Sequence, residues 1–310
     1  MVESLSTQIG QQQLLLISSS RQKRILPFLK WAGGKSHLLR HLLPIVPRNL
    51  SNYYEPFLGG GALYFAICGR DSKFSAHLSD VNTELVNAYQ IAKTQPEPLL
   101  EFLSRLHKQY RSATDKEKYY YEIRAWTPPD KVGSAARFIF LNKTCYNGLY
   151  RVNKKGGFNV PFGQYKAPTI FKEDNIRRVS HVMNETSAHV YCADFKEATE
   201  DCKRGDFVYF DPPYDPATKT SAFTDYTIDG FTELNQADLA DLFGKLADRG
   251  CGVLLSNSDT PLTRKLYGDY RLISLEVSRP ISCLGKKRKG FHELIVYSVP
   301  DSAKLPRRNR

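Results

Sequence analysis

The stretch Tyr54-Glu-Pro-Phe-Leu-Gly-Gly-Gly-Ala62 decides the fold. It continues a β-prone run from Asn52 to Pro56, turns on three glycines, and passes into a helical pattern from Ala62 to Cys68. A strand that ends in glycines and opens a helix is the first step of an α/β unit, and such glycines let the backbone approach a bound ligand closely. Asp80 follows a second strand, Phe74 to Leu78, and stands about 20 residues past the turn, where nucleoside-binding α/β folds set a carboxylate on ribose hydroxyls. The plainer reading of the same residues is a tight connection with Asp80 capping a helix that starts at Asn82. Tyr64 occupies the last position of a G-x-G-x-x-G pattern, so the expected ligand is a nucleoside without a pyrophosphate.

Outward from this stretch the alternation continues. Further strands are expected at His189 to Cys192, Phe207 to Phe210, Gly252 to Leu255, Leu272 to Val277 and Glu293 to Tyr297. Helical patterns at Asn82 to Ala92, Asp174 to Met183 and Thr232 to Asp248 separate several of them, which predicts a mostly parallel sheet with helices on its faces. The last two strands are placed to close as an antiparallel pair. Residues 83–171 interrupt the pattern with helices at Leu99 to Tyr110, Lys116 to Trp126 and Ser134 to Lys143, followed by a Gly-, Asn- and Pro-rich stretch. They are expected to form an inserted, mainly helical module. The catalytic part then comprises 25–82 and 172–299, flanked by a Gln- and Ser-rich leader over 1–24 and a basic tail over 300–310.

Composition narrows the partners. A net charge of +12 makes a polyanion the leading class. Within the insert, from Lys131 to Lys172, there are eight basic residues, eight aromatic residues and no Asp or Glu, as expected of a nucleic-acid face, although aromatics also serve a core. The six cysteines show no C-x-x-C pair, so neither a zinc site nor a disulfide framework is expected. The apolar run Leu14 to Ile17 is too short for a signal core, and a soluble protein of a reducing cytoplasm, without a membrane partner, is expected. No dimerisation heptad stands out, so a monomer is the expected state.

Chemistry concentrates in Asp211-Pro-Pro-Tyr214, directly behind the strand Phe207 to Phe210 and so at a strand's carboxyl end, where open α/β sheets carry their sites. Asp211 can accept a hydrogen bond from an exocyclic amine. Pro212 and Pro213 lack N–H groups and stiffen a backbone whose carbonyls can accept, and Tyr214 offers a flat face for stacking. An aromatic amine is a poor nucleophile because its lone pair is delocalised into the ring. Acceptors that draw its N–H bonds out of plane, as Asp211 and the Pro212 carbonyl can, direct that pair at an electrophile. Near the start, Phe28-Leu-Lys-Trp-Ala-Gly-Gly-Lys-Ser36 has Leu29 where a phosphate loop needs its first glycine, so a nucleotide triphosphatase is not expected. Lys30 and Lys35, flanking Trp31 and two glycines, suit a loop that closes over a cofactor, or else a helix start with solvated lysines.

These motifs together resemble the Dam-type family of DNA adenine-N6 methyltransferases over nearly all of residues 26–299. The resemblance is carried by Phe28-Leu-Lys-Trp-Ala-Gly-Gly-Lys35, Glu55-Pro-Phe-Leu-Gly59, Asp80-Val-Asn82, Tyr146-Asn-Gly-Leu-Tyr-Arg151, Phe158-Asn-Val-Pro-Phe-Gly163, Asp211-Pro-Pro-Tyr214, Phe223-Thr-Asp-Tyr226 and Leu255-Ser-Asn257, in family order. It implies a Rossmann-like S-adenosylmethionine-dependent methyltransferase fold with a target-recognition domain carrying a β-hairpin. It further implies methyl transfer from S-adenosylmethionine to N6 of an adenine flipped out of double-stranded DNA, usually within GATC, by direct displacement. Trp31, Lys35, Glu55, Pro56, Phe57, Gly59, Asp80, Asp194, Phe195 and Asp211 would line the cofactor site. Asp211, Pro212, Pro213 and Tyr214 would serve the target base, and Lys30, Tyr146, Asn147, Leu149, Arg151 and Pro161 would meet DNA. Gln164 departs from the family pattern, where a basic residue is common, and Gly59-Gly-Gly61 replaces a mixed glycine-alanine turn. Methylation of cytosine N4 or of an RNA base, and a DNA-binding protein without chemistry that keeps basic runs such as Lys286-Lys-Arg-Lys289, are the rival readings.

Overall fold

A computed structural model describes residues 25–31, 33–70, 73–215, 231–277 and 291–299. The leader, the tail, the Phe223-Thr-Asp-Tyr226 motif and the Lys286-Lys-Arg-Lys289 run lie outside them. All seven expected strands form: β1 (Asn52–Glu55), β2 (Ser75–Asp80), β3 (His189–Cys192), β4 (Phe207–Phe210), β5 (Gly252–Ser258), β6 (Arg271–Val277) and β7 (Phe291–Ser298). They build one sheet in the order β3-β2-β1-β4-β5-β7-β6, parallel except for β7, which runs antiparallel to both β5 and β6. This is a Rossmann-like α/β sheet.

Helices α1 (Leu39–Leu42), α2 (Ala62–Cys68), α3 (Thr83–Thr94), α4 (Pro96–Ser112), α5 (Lys116–Ala125), α6 (Lys131–Thr144), α7 (Glu173–Glu185), α8 (Glu233–Asp248) and α9 (Pro261–Leu266) complete the described structure, with 3-10 turns at Lys35–His37, leading into α1, at Tyr146–Gly148 and at Glu197–Thr199. The two short helices α1 and α9 are absent from the sequence pattern, because four to six residues are too few to show a period.

Two-residue alternation sorts the strand side chains between two apolar layers. Tyr53, Phe207, Tyr209 and Leu254 join α1 to α7 on one side, while Tyr54, Val208, Phe210, Val253 and Leu255 meet Leu239, Phe243 and Leu246 of α8 on the other. β4 and β5 are buried along their whole length, which is why Phe207 to Phe210 and Gly252 to Leu255 read as unbroken runs rather than alternating ones; the polar end of β5, Ser256 to Ser258, is buried as well.

The helices of the interruption pack as their sequences dictate. α4 buries Leu99, Leu103, Leu106 and Tyr110 from one stripe, and α6 is buried nearly all round through Ala135, Ala136, Phe138, Ile139, Phe140 and Leu141. Asp115 caps α5 by accepting from Lys118 N at 2.9 Å, and Asp130 caps α6 by accepting from Gly133 N at 2.6 Å. These helices share the apolar cluster of the sheet rather than building a core of their own. Phe138, Phe140 and Phe158 are buried, and Phe162, Phe171 and Tyr150 pack partly against that cluster, so most aromatics of the acid-free run serve packing, not an open face. The chain from Cys145 to Gly163 turns back on itself through the single antiparallel bridges Cys145 to Phe162 and Val152 to Phe158, not through a continuous hairpin ladder.

The order places the site. From β1 the chain steps outward to β2 and β3, then returns to lay β4 on the other side of β1. The crevice at the carboxyl ends of β1 and β4 is therefore the topological switch point, and Glu55 and Asp211 stand at its two rims.

Candidate active site between beta1 and beta4

Asp211 follows β4 immediately, and both donors that reach it converge on one oxygen. Lys35 Nζ lies 2.8 Å and Ser256 Oγ 2.8 Å from Oδ1, so Oδ2 has no partner among the described residues. Lys35 is buried, also donates to the Gly33 carbonyl, and sits 4.4 Å from the centroid of the Tyr214 ring. Ser256 is in turn bonded to Tyr209 through a 2.9 Å hydroxyl contact. Burial raises the Asp211 pKa above the ordinary carboxylate value, while the Lys35 ammonium and the Ser256 hydroxyl oppose that rise.

The loop behind Asp211 is held from two sides. Gln236 Nε2 donates to the Pro213 carbonyl at 3.1 Å, and Asp215 N donates to Asn257 Oδ1 at 3.1 Å. No described residue donates to the Pro212 carbonyl. Asp211 Oδ2 and Pro212 O are thus two acceptors of this loop with no donor among the described residues.

Across the crevice, Glu55 is buried and accepts from Tyr53 OH at 2.8 Å. Burial, reinforced by the Asp211 charge, pushes its pKa up to about 8 despite that hydrogen bond. The chain then passes through Pro56 and Phe57 into the glycine turn, where Gly59 (φ 44°) and Gly61 (φ 62°) both take the left-handed conformation open to glycine. A side chain at Gly59 would stand 2.6 Å from Trp31 Cδ1, so the glycine is what lets the Trp31 indole lie on the turn. Trp31 also stacks on Tyr150, with centroids 5.9 Å apart.

Asp80, at the end of β2, joins this turn: Oδ2 accepts from Gly59 N at 3.1 Å and Oδ1 from Asn82 N at 3.0 Å. The cap of α3 is Asn82, which accepts from Leu85 N at 3.1 Å, so Asp80 steadies the glycine turn and leaves the capping bond to its neighbour. Burial moves its pKa up to about 6, with the backbone N–H groups acting against the shift. Beside β3, Phe195 stacks on Phe57 at 5.6 Å, and Phe231 packs against both rings. Asp194 is exposed and accepts from Lys196 N at 2.7 Å and Glu197 N at 2.9 Å, so it orders the turn after β3.

The residues expected at DNA form a second group. The Lys30 backbone is gripped by Asn142, whose Oδ1 accepts from Lys30 N at 2.7 Å and whose Nδ2 donates to Lys30 O at 2.6 Å. Its ammonium reaches Tyr165 OH at 3.2 Å, and its side chain packs where a Cβ on Gly148 would fall. Tyr146 and Asn147 are exposed at the tip of the turn, Asn147 in the left-handed region (φ 53°), and Tyr146 N donates to the Pro161 carbonyl at 2.9 Å. Arg151 is exposed and aimed by Asn159, whose Oδ1 accepts from Nε at 2.7 Å; Leu149 is half-buried beneath them.

Sequence reasoning missed Asn142, Gln236, Glu293 and the role of Ser256. Glu293 is buried on β7, faces His37 Nε2 at 3.1 Å, and its charge adds to the upward push on Asp211. The available signal was a polar residue in an apolar pattern: Glu293 heads Leu-Ile-Val-Tyr297, and Gln236 falls on the buried stripe of α8.

Comparison with known proteins identifies the family. A family model described as D12 class N6 adenine-specific DNA methyltransferase matches residues 31–281. The chain is similar to the Type II methyltransferase M.MjaIII of Methanocaldococcus jannaschii, with 41% identity over 286 residues, covering 88% of this chain and 98% of that one. It is 38% identical over 276 residues to the Type II methyltransferase M1.LlaDCHI of Lactococcus lactis subsp. cremoris, covering 87% and 94%. It is 34% identical over 281 residues to the DNA adenine methylase of Escherichia coli K12, covering 90% and 97%.

Proposed function

The chain belongs to the family of D12 class N6 adenine-specific DNA methyltransferases, and we propose that it transfers the methyl group of S-adenosylmethionine to N6 of an adenine extruded from double-stranded DNA within GATC. The observation that carries the proposal is the pair of acceptors at the switch point, Asp211 Oδ2 and Pro212 O, that no described residue satisfies, in the same short loop as Tyr214.

The residues around the glycine turn fit S-adenosylmethionine in kind. Asp80 and the glycine backbone suit the ribose hydroxyls, the packed rings of Phe57, Phe195 and Phe231 offer an aromatic surface to a purine, and Lys35 supplies a positive charge and Glu55 a hydrogen-bonding carboxyl for the amino-acid end. Trp31, Pro56 and Asp194 border the same crevice. When bound, the cofactor supplies an electrophilic methyl carbon on a sulfonium.

The protein's contribution is placement. Asp211 Oδ2 and Pro212 O accept the two N–H bonds of the adenine amine and turn its lone pair out of the ring plane toward the cofactor. With the cofactor bound, methyl transfer would join the amine nitrogen to the methyl carbon as that carbon leaves the sulfur, and the alkylated amine would have one proton to shed. Asp211 is placed to receive it, because burial makes its carboxylate more basic than usual. Pro213 keeps its carbonyl turned away, and Tyr214 stacks on the base. Extruding an adenine costs a few kcal/mol, offset by that stacking and those hydrogen bonds.

Residues 83–171 act in this account as the target-recognition part. Lys30, Tyr146, Asn147, Leu149, Arg151 and Pro161 meet the duplex, with Arg151 suited to a bidentate guanine contact. The closeness of Tyr146-Asn-Gly-Leu-Tyr-Arg151 to the Dam-type pattern supports GATC. A monomer on DNA is proposed, and no helix among the described residues is long and apolar enough to cross a membrane.

Extrusion is tested with a GATC duplex carrying 2-aminopurine in place of the target adenine. Protein and S-adenosylhomocysteine together should raise its fluorescence, and a signal unchanged on binding would count against a flipped base.

A further inference from the structure

We infer that Gln236 is a positioning residue for methyl transfer: it holds the Asp211-Pro-Pro-Tyr214 loop so that Pro212, and not Pro213, offers its carbonyl to the target amine. Gln236 continues the buried stripe of Leu239, Phe243 and Leu246 on α8 and is itself 1% exposed. A polar side chain at such a position costs stability unless both its ends are bonded. Both are, and the network fixes which end is which. Asn257 Oδ1 accepts from Asp215 N at 3.1 Å and from Ser258 N at 2.8 Å, so its amide nitrogen must face Gln236. Gln236 Oε1 accepts from that nitrogen at 2.9 Å, which leaves Nε2 to donate to the Pro213 carbonyl at 3.1 Å.

The need for such a clamp follows from the proline pair. Pro212 and Pro213 have no N–H by which the loop could be tied down, so its orientation has to be set through carbonyls and through N–H groups that follow. Gln236 fixes the peptide between Pro213 and Tyr214, and Asn257 fixes the peptide between Tyr214 and Asp215. Together they set both backbone torsions of Tyr214, and with them the direction in which its side chain leaves the backbone. Asp215, the charged group of this network, is engaged by Thr260 Oγ1 at 2.7 Å. Gln236 acts through the loop and touches neither the base nor the cofactor.

The inference rests on Asp211 and Pro212 being the acceptors for the adenine amine. It is tested by measuring single-turnover methyl transfer with wild type, Gln236→Met and Gln236→Glu, alongside the affinities for DNA and cofactor and the thermal midpoint. Gln236→Met keeps the volume without a donor. Its rate should fall by up to about a hundred-fold, the scale of a small misplacement of reacting groups, while both affinities stay near wild type. Gln236→Glu can donate to Pro213 only while protonated. Its rate should match wild type at low pH and fall, relative to wild type, as the buried carboxyl ionises between about pH 6 and 9. An active wild type with both variants matching it across that range would overturn the inference alone. So would a loss of rate that only tracks a lowered thermal midpoint without the added ionisation. A wild type that methylates no adenine would overturn the underlying reading of the acceptors, and the inference with it.

Discussion

Lys35 Nζ lies 2.8 Å from Asp211 Oδ1 and 4.4 Å from the centre of the Tyr214 ring, so one buried ammonium touches both the acid and the stacking face of the acceptor loop. It holds the Asp211 charge in place against a desolvation that favours the neutral form. Replacing Lys35 with Met should raise the Asp211 pKa further. The acidic limb of the pH profile for methyl transfer then moves to higher pH, with a lower plateau. A limb that stays where it was would show that Asp211 does not set it.

Asp211→Ala removes the open acceptor oxygen and should cost on the order of a hundred-fold or more in turnover, because placement of the amine is lost. Binding to duplex DNA, measured by anisotropy, should change little, since affinity for DNA comes chiefly from backbone contacts elsewhere. Turnover like wild type would contradict the role given to Asp211.

Arg151 is aimed by Asn159 through a 2.7 Å bond to its Nε. Arg151→Ala should relax discrimination at one base pair of the site by roughly 1–3 kcal/mol, and Asn159→Ala should do the same more weakly. Competition among duplexes altered one pair at a time reads this directly. A uniform weakening toward every sequence would mark Arg151 as a phosphate contact instead.

Gly59→Ala meets two obstacles, a left-handed backbone and the Trp31 ring 2.6 Å from the new methyl group. The backbone alone costs about 1–2 kcal/mol. A lowered thermal midpoint together with weaker cofactor binding in calorimetry is expected, and unchanged cofactor affinity would separate the turn from the cofactor site.

Glu55 gives a stability signature. Its carboxyl pKa is raised on folding from 4.5 to about 8, so between those values the folded chain keeps a proton that the unfolded chain has lost. Stability from this group is therefore present below the unfolded value and declines as pH rises toward 8, by at most about 1.4 kcal/mol per pH unit. Glu55→Gln, which can still accept from Tyr53, should flatten that slope in urea titrations run across the window.

Much of this architecture is local in the chain and so was legible from it. Phe207 to Phe210 followed by Asp-Pro-Pro-Tyr214 announces a buried strand with its chemistry at the carboxyl end, and the Gly59 to Gly61 turn announces the strand-to-helix switch. What stayed hidden depends on partners far away in sequence. Gln236 and Ser256 matter because α8 and β5 pack beside the loop, and Asn142 because α6 reaches back to Lys30. The acid-free aromatic run misled in part for the same reason: most of its charges are exposed, but Arg137 turns inward to Glu84, and Phe138, Phe140 and Phe158 belong to the core. Composition reports which residues are present and not which way they point.

Methyl transfer to adenine N6 at GATC is measured with isotopically labelled S-adenosylmethionine and two duplexes that differ only in one GATC site. Mass spectrometry of the digested DNA then locates the label. Label on N6-methyladenine from the GATC duplex alone is the predicted result. Equal labelling of both duplexes would contradict the site, and label on cytosine, or none on DNA, would contradict the reaction.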